Sequence, residues 1–195
     1  MFITTAKSMK RLIIGASATL LASGLTTGVF AQGYGGHYGF GSKASNEEIA
    51  AIDISVMPDG RGLPPGKGDY TTGKALYTAK CAACHGADLA GIGEVGGDKL
   101  IGGRGSLASG KPVKTIESYW PYATTVFDYV RRAMPFNAPG SLQNDEVYAI
   151  TAYILGEANV IGKDQVMDAG TLSKVQMPNH DGFIPDPRPD VHNYD

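Results

Sequence analysis

Both cysteines of this 195-residue chain lie in the heptapeptide KCAACHG, residues 80–86, beside one of its four histidines. Cys81 and Cys84 are three positions apart, which is close to one helical turn, and His85 follows directly. The pattern is compatible with a redox-active dithiol, with half of a structural zinc site, or with covalent attachment of a c-type haem. Each of these sites makes a different demand on the rest of the sequence.

The surrounding sequence favours the haem. A thioredoxin-like dithiol needs a strand followed by a helix that starts at the first cysteine, whereas the helix predicted here ends at the cysteines. A structural zinc site needs further ligands, and the chain has no third cysteine. A c-type haem needs two thiols and an adjacent imidazole. We therefore predict one haem c, bound covalently through Cys81 and Cys84, with His85 as an axial iron ligand.

The other axial ligand is predicted to be a methionine. Iron that only transfers electrons is best held six-coordinate, and a thioether ligand raises its reduction potential. Met134 follows an amphipathic helix and precedes Pro135, so a rigid turn can present its side chain to the iron; Met177, also followed by a proline, is the rival. The candidate methionines and histidines are Met57, Met134, Met167, Met177, His37, His180 and His192. We predict His85 and Met134 as the two metal ligands.

Further residues are expected to line the haem pocket. Trp120, Tyr122 and Phe127 are aromatic residues near the helix that leads to Met134, and we expect them to form its walls. Arg104 is expected to pair with a haem propionate. An ordinary interpretation also exists for two of them, because Trp120 could belong to the core and Arg104 could be a surface charge.

Helical periodicity indicates three main helices. They are predicted over about residues 71–82, 122–134 and 144–156, after a short helix that begins with a capping box at Ser45 and Glu48. In the segment 122–134, Asp128, Arg131 and Arg132 lie opposite the apolar stripe. Glycines are frequent between residues 86 and 110, which predicts a loop there.

The N-terminus has the pattern of a secretory signal. Lys7, Lys10 and Arg11 precede an apolar run, with small residues up to Ala31. We expect residues 1–31 to be removed and the protein to be periplasmic, without stable membrane insertion. The remaining 14 basic and 19 acidic side chains give a net charge of −5, which argues against nucleic acid as a partner.

Composition divides the remainder of the chain into three parts. Residues 32–68 are predicted to form a flexible glycine-rich arm with a short helix, and residues 69–157 to form the haem domain. Residues 158–195 contain prolines at positions 178, 185, 187 and 189, which predict an extended tail.

The order of a CxxCHG motif, a methionine-proline turn and a closing amphipathic helix resembles that of class I cytochromes c. More narrowly, the chain resembles the SoxD cytochromes over most of residues 38–191. The segments that carry this resemblance are YGFGSKASNEEIAAIDISVMPDGRGLPPGKG, KALYTAKCAACHG, GGRGSL, PVKTIESYWPYATTVFDYVRRAMPFNAPGSLQNDEVYAITAYIL and MPNHDGFIPDPRPDV. The run SYWPYATTVFDYVRRAMPF is the most specific of them.

The resemblance implies an all-α fold, the class I cytochrome c fold. This fold is a small helical bundle around a covalently bound haem, here with extended N- and C-terminal segments. Its two terminal helices are expected to cross at Gly73, Tyr77 and Tyr153. Related cytochromes usually hold the axial histidine ring with a proline carbonyl, but no proline lies between His85 and Lys111. The sequence therefore leaves the partner of the His85 ring unassigned.

The resemblance also implies a role. In that family the cytochrome takes electrons from a molybdenum-containing sulfur or sulfite dehydrogenase and passes them to another cytochrome. We therefore expect a periplasmic monohaem electron carrier of sulfur oxidation, a subunit of an oxidoreductase complex with no catalytic site of its own. Many SoxD-type members carry a second haem domain, whereas this chain has a single CxxCH motif. The alternatives are a free shuttle of a respiratory chain unrelated to sulfur oxidation, and a haem enzyme.

Overall fold

Helices dominate the architecture. The computed structural model describes residues 39–186, so the leader expected at residues 1–31 lies outside the described part. The elements are α1 (Asn46–Ile52), β1 (Lys67–Asp69), α2 (Tyr70–Lys80), α3 (Ala82–His85), α4 (Ala123–Ala133), α5 (Asn144–Glu157), β2 (Val166–Asp168) and α6 (Ala169–Leu172). The chain divides after Lys43; residues 39–43 are exposed, and residues 44–186 are the described part of the second unit. The prediction of a small helical bundle is confirmed.

The close crossing of α2 and α5 depends on a glycine. A Cβ atom added at Gly73 would lie 1.8 Å from the carbonyl oxygen of Ala149 on α5, so no larger residue fits there. Beside this crossing the rings of Tyr77 and Tyr153 pack with their centroids 5.0 Å apart. The predicted crossing positions Gly73, Tyr77 and Tyr153 are confirmed, and the crossing places the end of α2 against the core.

The predicted helices are confirmed to within two residues, except that α2 ends at Lys80 and a separate turn, α3, follows. Helix α4 packs on α5 through Phe127 and Tyr148, whose ring centroids are 4.4 Å apart. Asp128, which is predicted to lie opposite the apolar stripe, is nevertheless buried, with only 8% of the residue exposed. A network of hydrogen bonds accounts for its burial, as described below.

Both terminal segments take more part in the fold than the sequence predicts. Strands β1 and β2 pair antiparallel, with Gly68 opposite Met167. Tyr148 on α5 donates a hydrogen bond to the carbonyl of Pro64 at 2.9 Å, which ties the first segment to the bundle. Because Met167, Leu172 and Met177 are buried, the second segment contributes to the core before it becomes exposed. The expected arm at 32–68 and tail at 158–195 are therefore partly structured.

Among residues 39–186, no helix has both the length and the apolar character needed to cross a bilayer.

Candidate haem site

The CxxCH motif lies at a break between two helices. Cys81 ends α2 with its N–H bonded to Tyr77 O at 2.8 Å, and Cys84 and His85 lie on the single turn of α3. Both cysteines are free thiols; Cys81 is partly buried and Cys84 is exposed. Burial raises the pKa of the Cys81 thiol to about 11. A redox-active dithiol needs a lowered pKa, so this environment argues against that interpretation.

The ring of His85 is oriented by the backbone. Its Nδ1 lies 2.8 Å from the carbonyl oxygen of Asp98. Because a carbonyl can only accept a hydrogen bond, Nδ1 carries the proton, and in the neutral ring Nε2 then carries the free lone pair. This is the tautomer that a metal bound at Nε2 requires. Asp98 thus supplies the carbonyl contact that sequence reasoning left unassigned.

The glycine-rich segment 86–100 closes over the motif. Gly91 and Ile92 donate backbone hydrogen bonds to the carbonyls of His85 and Cys84, at 2.8 and 2.9 Å. A Cβ atom at Gly97 would lie 1.8 Å from the Cys84 carbonyl oxygen, so glycine is required for this approach. The predicted loop therefore packs on the motif itself, and it carries the Asp98 carbonyl to His85.

Tyr77 supports the same loop from within the core. Its hydroxyl donates to the carbonyl of Gly86 at 2.8 Å, immediately after His85. The side chain is buried, and burial raises the pKa of the Tyr77 phenol well above its usual value. The hydroxyl therefore stays protonated and remains a hydrogen-bond donor. Sequence reasoning assigned Tyr77 to the helix crossing and missed this second contact.

Met134 caps the C-terminal end of α4. Its N–H is bonded to Val130 O at 3.2 Å, and its side chain packs against the core while remaining partly exposed. A thioether that binds a cofactor needs a free face. Met167 and Met177 are each only 2% exposed, so protein atoms already cover them. This difference favours Met134 over its rival Met177.

The remaining ligand candidates are less suitable. Met57 is 45% exposed and lies in an irregular segment. His180 is within 2.7 Å of Asp181 through Nδ1 and packs edge-on to the ring of Tyr122. His37 and His192 lie outside the described residues.

Two of the predicted pocket residues, Trp120 and Phe127, occupy different environments. Trp120 is partly buried and packs edge-on to the half-exposed Tyr129, with 5.7 Å between ring centroids, so it can still contact a cofactor. Phe127 is 0% exposed and belongs to the core. Its position gives no support to the expected contact with haem, because protein atoms cover the whole ring. Periodicity could not reveal this difference, since a haem wall and a protein core are both apolar.

Arg104 already has protein partners. Its Nε lies 3.0 Å from Glu117 Oε1, and its Nη2 donates to the carbonyl of Ala158 at 2.8 Å. These contacts hold the half-exposed side chain on the loop that follows the glycine-rich segment. Pairing of Arg104 with a haem propionate stays a prediction.

The donor set fits a c-type haem. Two free thiols lie on the same short segment as an imidazole whose Nε2 is available, and a partly exposed thioether ends α4. A Cβ atom at Gly102 or Gly105 would meet no atom within 4 Å, so the loop after the motif leaves open space. In residues 39–186, no cluster of three or more histidine, cysteine or acidic side chains is arranged to hold a metal ion.

Comparisons with known proteins agree with this chemistry. The cytochrome c family pattern matches residues 70–157. A chain in the crystal structure of the sulfane dehydrogenase SoxCD from Paracoccus pantotrophus is 46% identical, with a TM-score of 0.72, over 79% of this chain and 75% of that one. The thiosulfate dehydrogenase of Allochromatium vinosum is 27% identical over 111 residues, which are 53% of this chain and 38% of that protein. The match thus spans well under half of that relative. The predicted resemblance is confirmed.

Proposed function

Because the chain belongs to the cytochrome c family, we propose that it is the electron-transfer subunit of a molybdenum-containing sulfur-compound dehydrogenase. In this role it accepts electrons from the dehydrogenase and passes them to a downstream cytochrome or oxidase. The observation that carries the proposal is the likeness to SoxCD, which extends over 79% of the chain. The family pattern alone covers only residues 70–157, so the likeness also includes much of the terminal segments.

We assign one haem c to the site described above. Cys81 and Cys84 would hold it through thioether bonds, and His85 Nε2 and the Met134 sulfur would bind its iron. When bound, the haem supplies reversible one-electron transfer. The Asp98 carbonyl keeps the imidazole in the required tautomer, and the loop 86–100 packs on the motif through the hydrogen bonds of Gly91 and Ile92. In this proposal the four side chains bind the haem, the loop orients His85, and none of these residues has a catalytic role of its own.

Export to the periplasm belongs to the same proposal. The signal pattern ending near Ala31 and the covalent type of haem attachment both support it. The acidic surface expected for the processed chain, with 19 acidic and 14 basic side chains, favours acceptor proteins with a positively charged docking surface.

A haem enzyme is the second candidate, because the chain resembles a thiosulfate dehydrogenase over 111 residues. Such chemistry needs an open iron position or a cysteine ligand. Both cysteines of the chain lie in the haem-binding motif, so neither is available for that purpose. Ferric iron that is high-spin and binds thiosulfate would favour this candidate over electron transfer.

Reduction by the dehydrogenase tests the proposal. The purified cytochrome should co-elute with a molybdenum dehydrogenase from its own cell, and its haem should be reduced when a sulfur substrate is added to the complex. The matched control replaces the dehydrogenase with a quinol-oxidising complex. Equal reduction by the quinol-oxidising complex, with no co-elution and no loss of sulfur oxidation after gene deletion, would favour the free shuttle.

A further inference from the structure

An irregular segment, Ile54–Pro58, runs along helix α4, and we call it the strap. Three hydrogen bonds join the two: Thr124 Oγ1 donates to Pro58 O at 3.1 Å, Val56 N–H donates to Asp128 Oδ1 at 2.8 Å, and Arg131 Nη1 donates to Ile54 O at 3.0 Å. Strap and helix are more than sixty residues apart in the sequence. The contact is therefore tertiary.

The register of these bonds is regular. The strap contributes alternate residues, at positions 54, 56 and 58, while α4 contributes positions 131, 128 and 124. Positions four and seven apart lie on one face of a helix. Two residues of extended chain span about 6.6 Å, and three or four helical residues rise about 5 to 6 Å. The two spacings are similar, so the strap can run antiparallel to α4 for about two turns.

Asp128 is the centre of the contact. Its buried carboxylate accepts from the Val56 N–H and also from Arg132, through Nε at 2.9 Å and through Nη2. Burial raises its pKa, but the hydrogen bonds from Arg132 and Val56 outweigh burial, so the net pKa is lowered. A charge is thus kept in a buried place, where it accepts one hydrogen bond from the strap and two from Arg132 on its own helix. Such a group is costly unless every partner is present.

The hydrogen bond of Arg131 to the strap lies in the last turn of α4, close to Met134. Arg131 is three residues before Met134, which caps α4 through its N–H to Val130 O. The carbonyls of a last helical turn lack partners further along the helix, so that turn is easily distorted unless side chains or tertiary contacts hold it. The strap supplies such a contact at Arg131 and a second one a turn earlier at Asp128.

We propose that the strap positions Met134, and that Asp128 and Arg131 are the positioning residues through which it acts. This inference rests on the proposed function, since it requires Met134 to be the axial ligand. Neither residue needs to touch the haem. Loss of the strap contact at Arg131 would let the end of α4 move and make the thioether easier to displace from ferric iron.

The test measures displacement of the methionine by a small ligand. Free imidazole is titrated into the ferric holoprotein, and its dissociation constant is followed by loss of the methionine-to-iron charge-transfer band. Arg131→Met removes the donor and keeps the length of the side chain. A hydrogen bond is worth about tenfold in an equilibrium constant, so we expect imidazole to bind about tenfold more tightly to this variant. Arg131→Lys, which can still donate to the Ile54 carbonyl, should recover most of the wild-type value.

Two control variants distinguish a role in positioning Met134 from a general loss of protein stability. Arg61→Met is the same substitution at the exposed ion pair of Arg61 with Asp59, and it should leave imidazole binding unchanged. Thr124→Val removes the strap contact furthest from Met134, so it should lower the unfolding temperature with little effect on imidazole binding. If the strap only stabilises the fold, imidazole affinity should increase with the loss of stability in every variant, including Thr124→Val.

The outcomes are distinct. Tighter imidazole binding in Arg131→Met, but not in the two controls, supports the positioning role. Unchanged binding in Arg131→Met and in Asp128→Asn, with the charge-transfer band intact, overturns it and leaves the ligand assignment untouched. Absence of the band in the wild-type protein overturns both the assignment of Met134 and this inference.

Discussion

On the Cys81–His85 side of the site, hydrogen bonds join residues close together in the chain, whereas on the Met134 side the hydrogen bonds of the strap join residues more than sixty positions apart. His85 is bonded to Asp98, 13 residues away. Asp128 and Arg131, which hold the end of α4, are bonded to residues 72 and 77 positions away. The first side is built by a single glycine-rich loop and the second by the assembled fold.

This difference has a physical consequence. Closing a loop of about a dozen residues costs little chain entropy, and the cost rises only slowly with length. Contacts between distant segments, however, form only when the intervening core is assembled. We therefore expect the histidine side to be the more persistent one and the methionine side to open first. Three variants and one change of pH test this difference between the two sides of the site, and the change with the largest expected effect comes first.

Removing both thiols should have the largest effect. The double variant Cys81→Ala, Cys84→Ala lacks both cysteines of the chain, so the haem can no longer be covalently attached. Haem extracted into acidified organic solvent should increase from almost none to all of the bound pigment. Met134→Leu is the matched control on the opposite side, and it should leave the haem attached to the chain. Covalent haem in the double variant would contradict the assignment.

Crowding the loop against the motif should have the next largest effect. In Gly97→Ala the new methyl group would meet the Cys84 backbone, which cannot move aside as a side chain can. Overpacking of this kind costs about 1 to 3 kcal/mol or more, measured as the free energy of unfolding in denaturant. Gly93→Ala is the matched control, since its methyl group would meet no atom within 4 Å. Equal stability of the two variants would show that the loop does not pack on the motif.

Removing the Tyr77 hydroxyl should cost less. Tyr77→Phe keeps the buried ring but removes the shorter of two hydrogen bonds to the Gly86 carbonyl, which still accepts from the Leu89 N–H at 3.3 Å. Loss of one hydrogen bond costs about 0.5 to 1.5 kcal/mol, again measured by denaturant unfolding. Tyr129→Phe, at a half-exposed position, serves as the control and should be nearly neutral. A shift in reduction potential in Tyr77→Phe would further indicate that the loop influences His85.

Acidification should have the smallest effect, and we expect this effect on the methionine side of the site. The folded-state pKa of Asp128 is lowered, so its stabilisation is present above the unfolded pKa and is lost as the pH falls through the folded value. The charged groups facing it are Arg131 and Arg132. The stability difference between wild type and Asp128→Asn should therefore shrink as the pH falls below the ordinary aspartate pKa value of 3.8. Asp59→Asn, at an exposed ion pair, should show less pH dependence. A constant difference for Asp128→Asn would contradict this account.

The sequence predicted the histidine side better than the methionine side for the same physical reason. Cys81, Cys84 and His85 form a local motif, so their spacing is visible without the fold. The carbonyl of Asp98 was missed because any residue type can supply a backbone carbonyl. The glycines around Gly97 were the available signal, since they indicated that the backbone comes close to something.

On the methionine side, periodicity located α4 and Pro135 marked its end, which was enough to select Met134. The strap could not be predicted, because its register depends on two segments that approach only in the folded chain. Periodicity places Asp128 opposite the apolar stripe, but it cannot show that a distant segment covers that side of the helix. Strands β1 and β2 were missed because three residues are too few to show an alternating pattern.

The ligand assignment is tested most directly by the charge-transfer band of methionine-bound ferric haem, recorded for the wild type, Met134→Leu and Met177→Leu. Both substitutions conserve volume, and Met177 is the rival that also precedes a proline. We predict that the band is present in the wild type and in Met177→Leu and is absent in Met134→Leu. A band that survives in Met134→Leu, or is lost in Met177→Leu, would contradict the assignment.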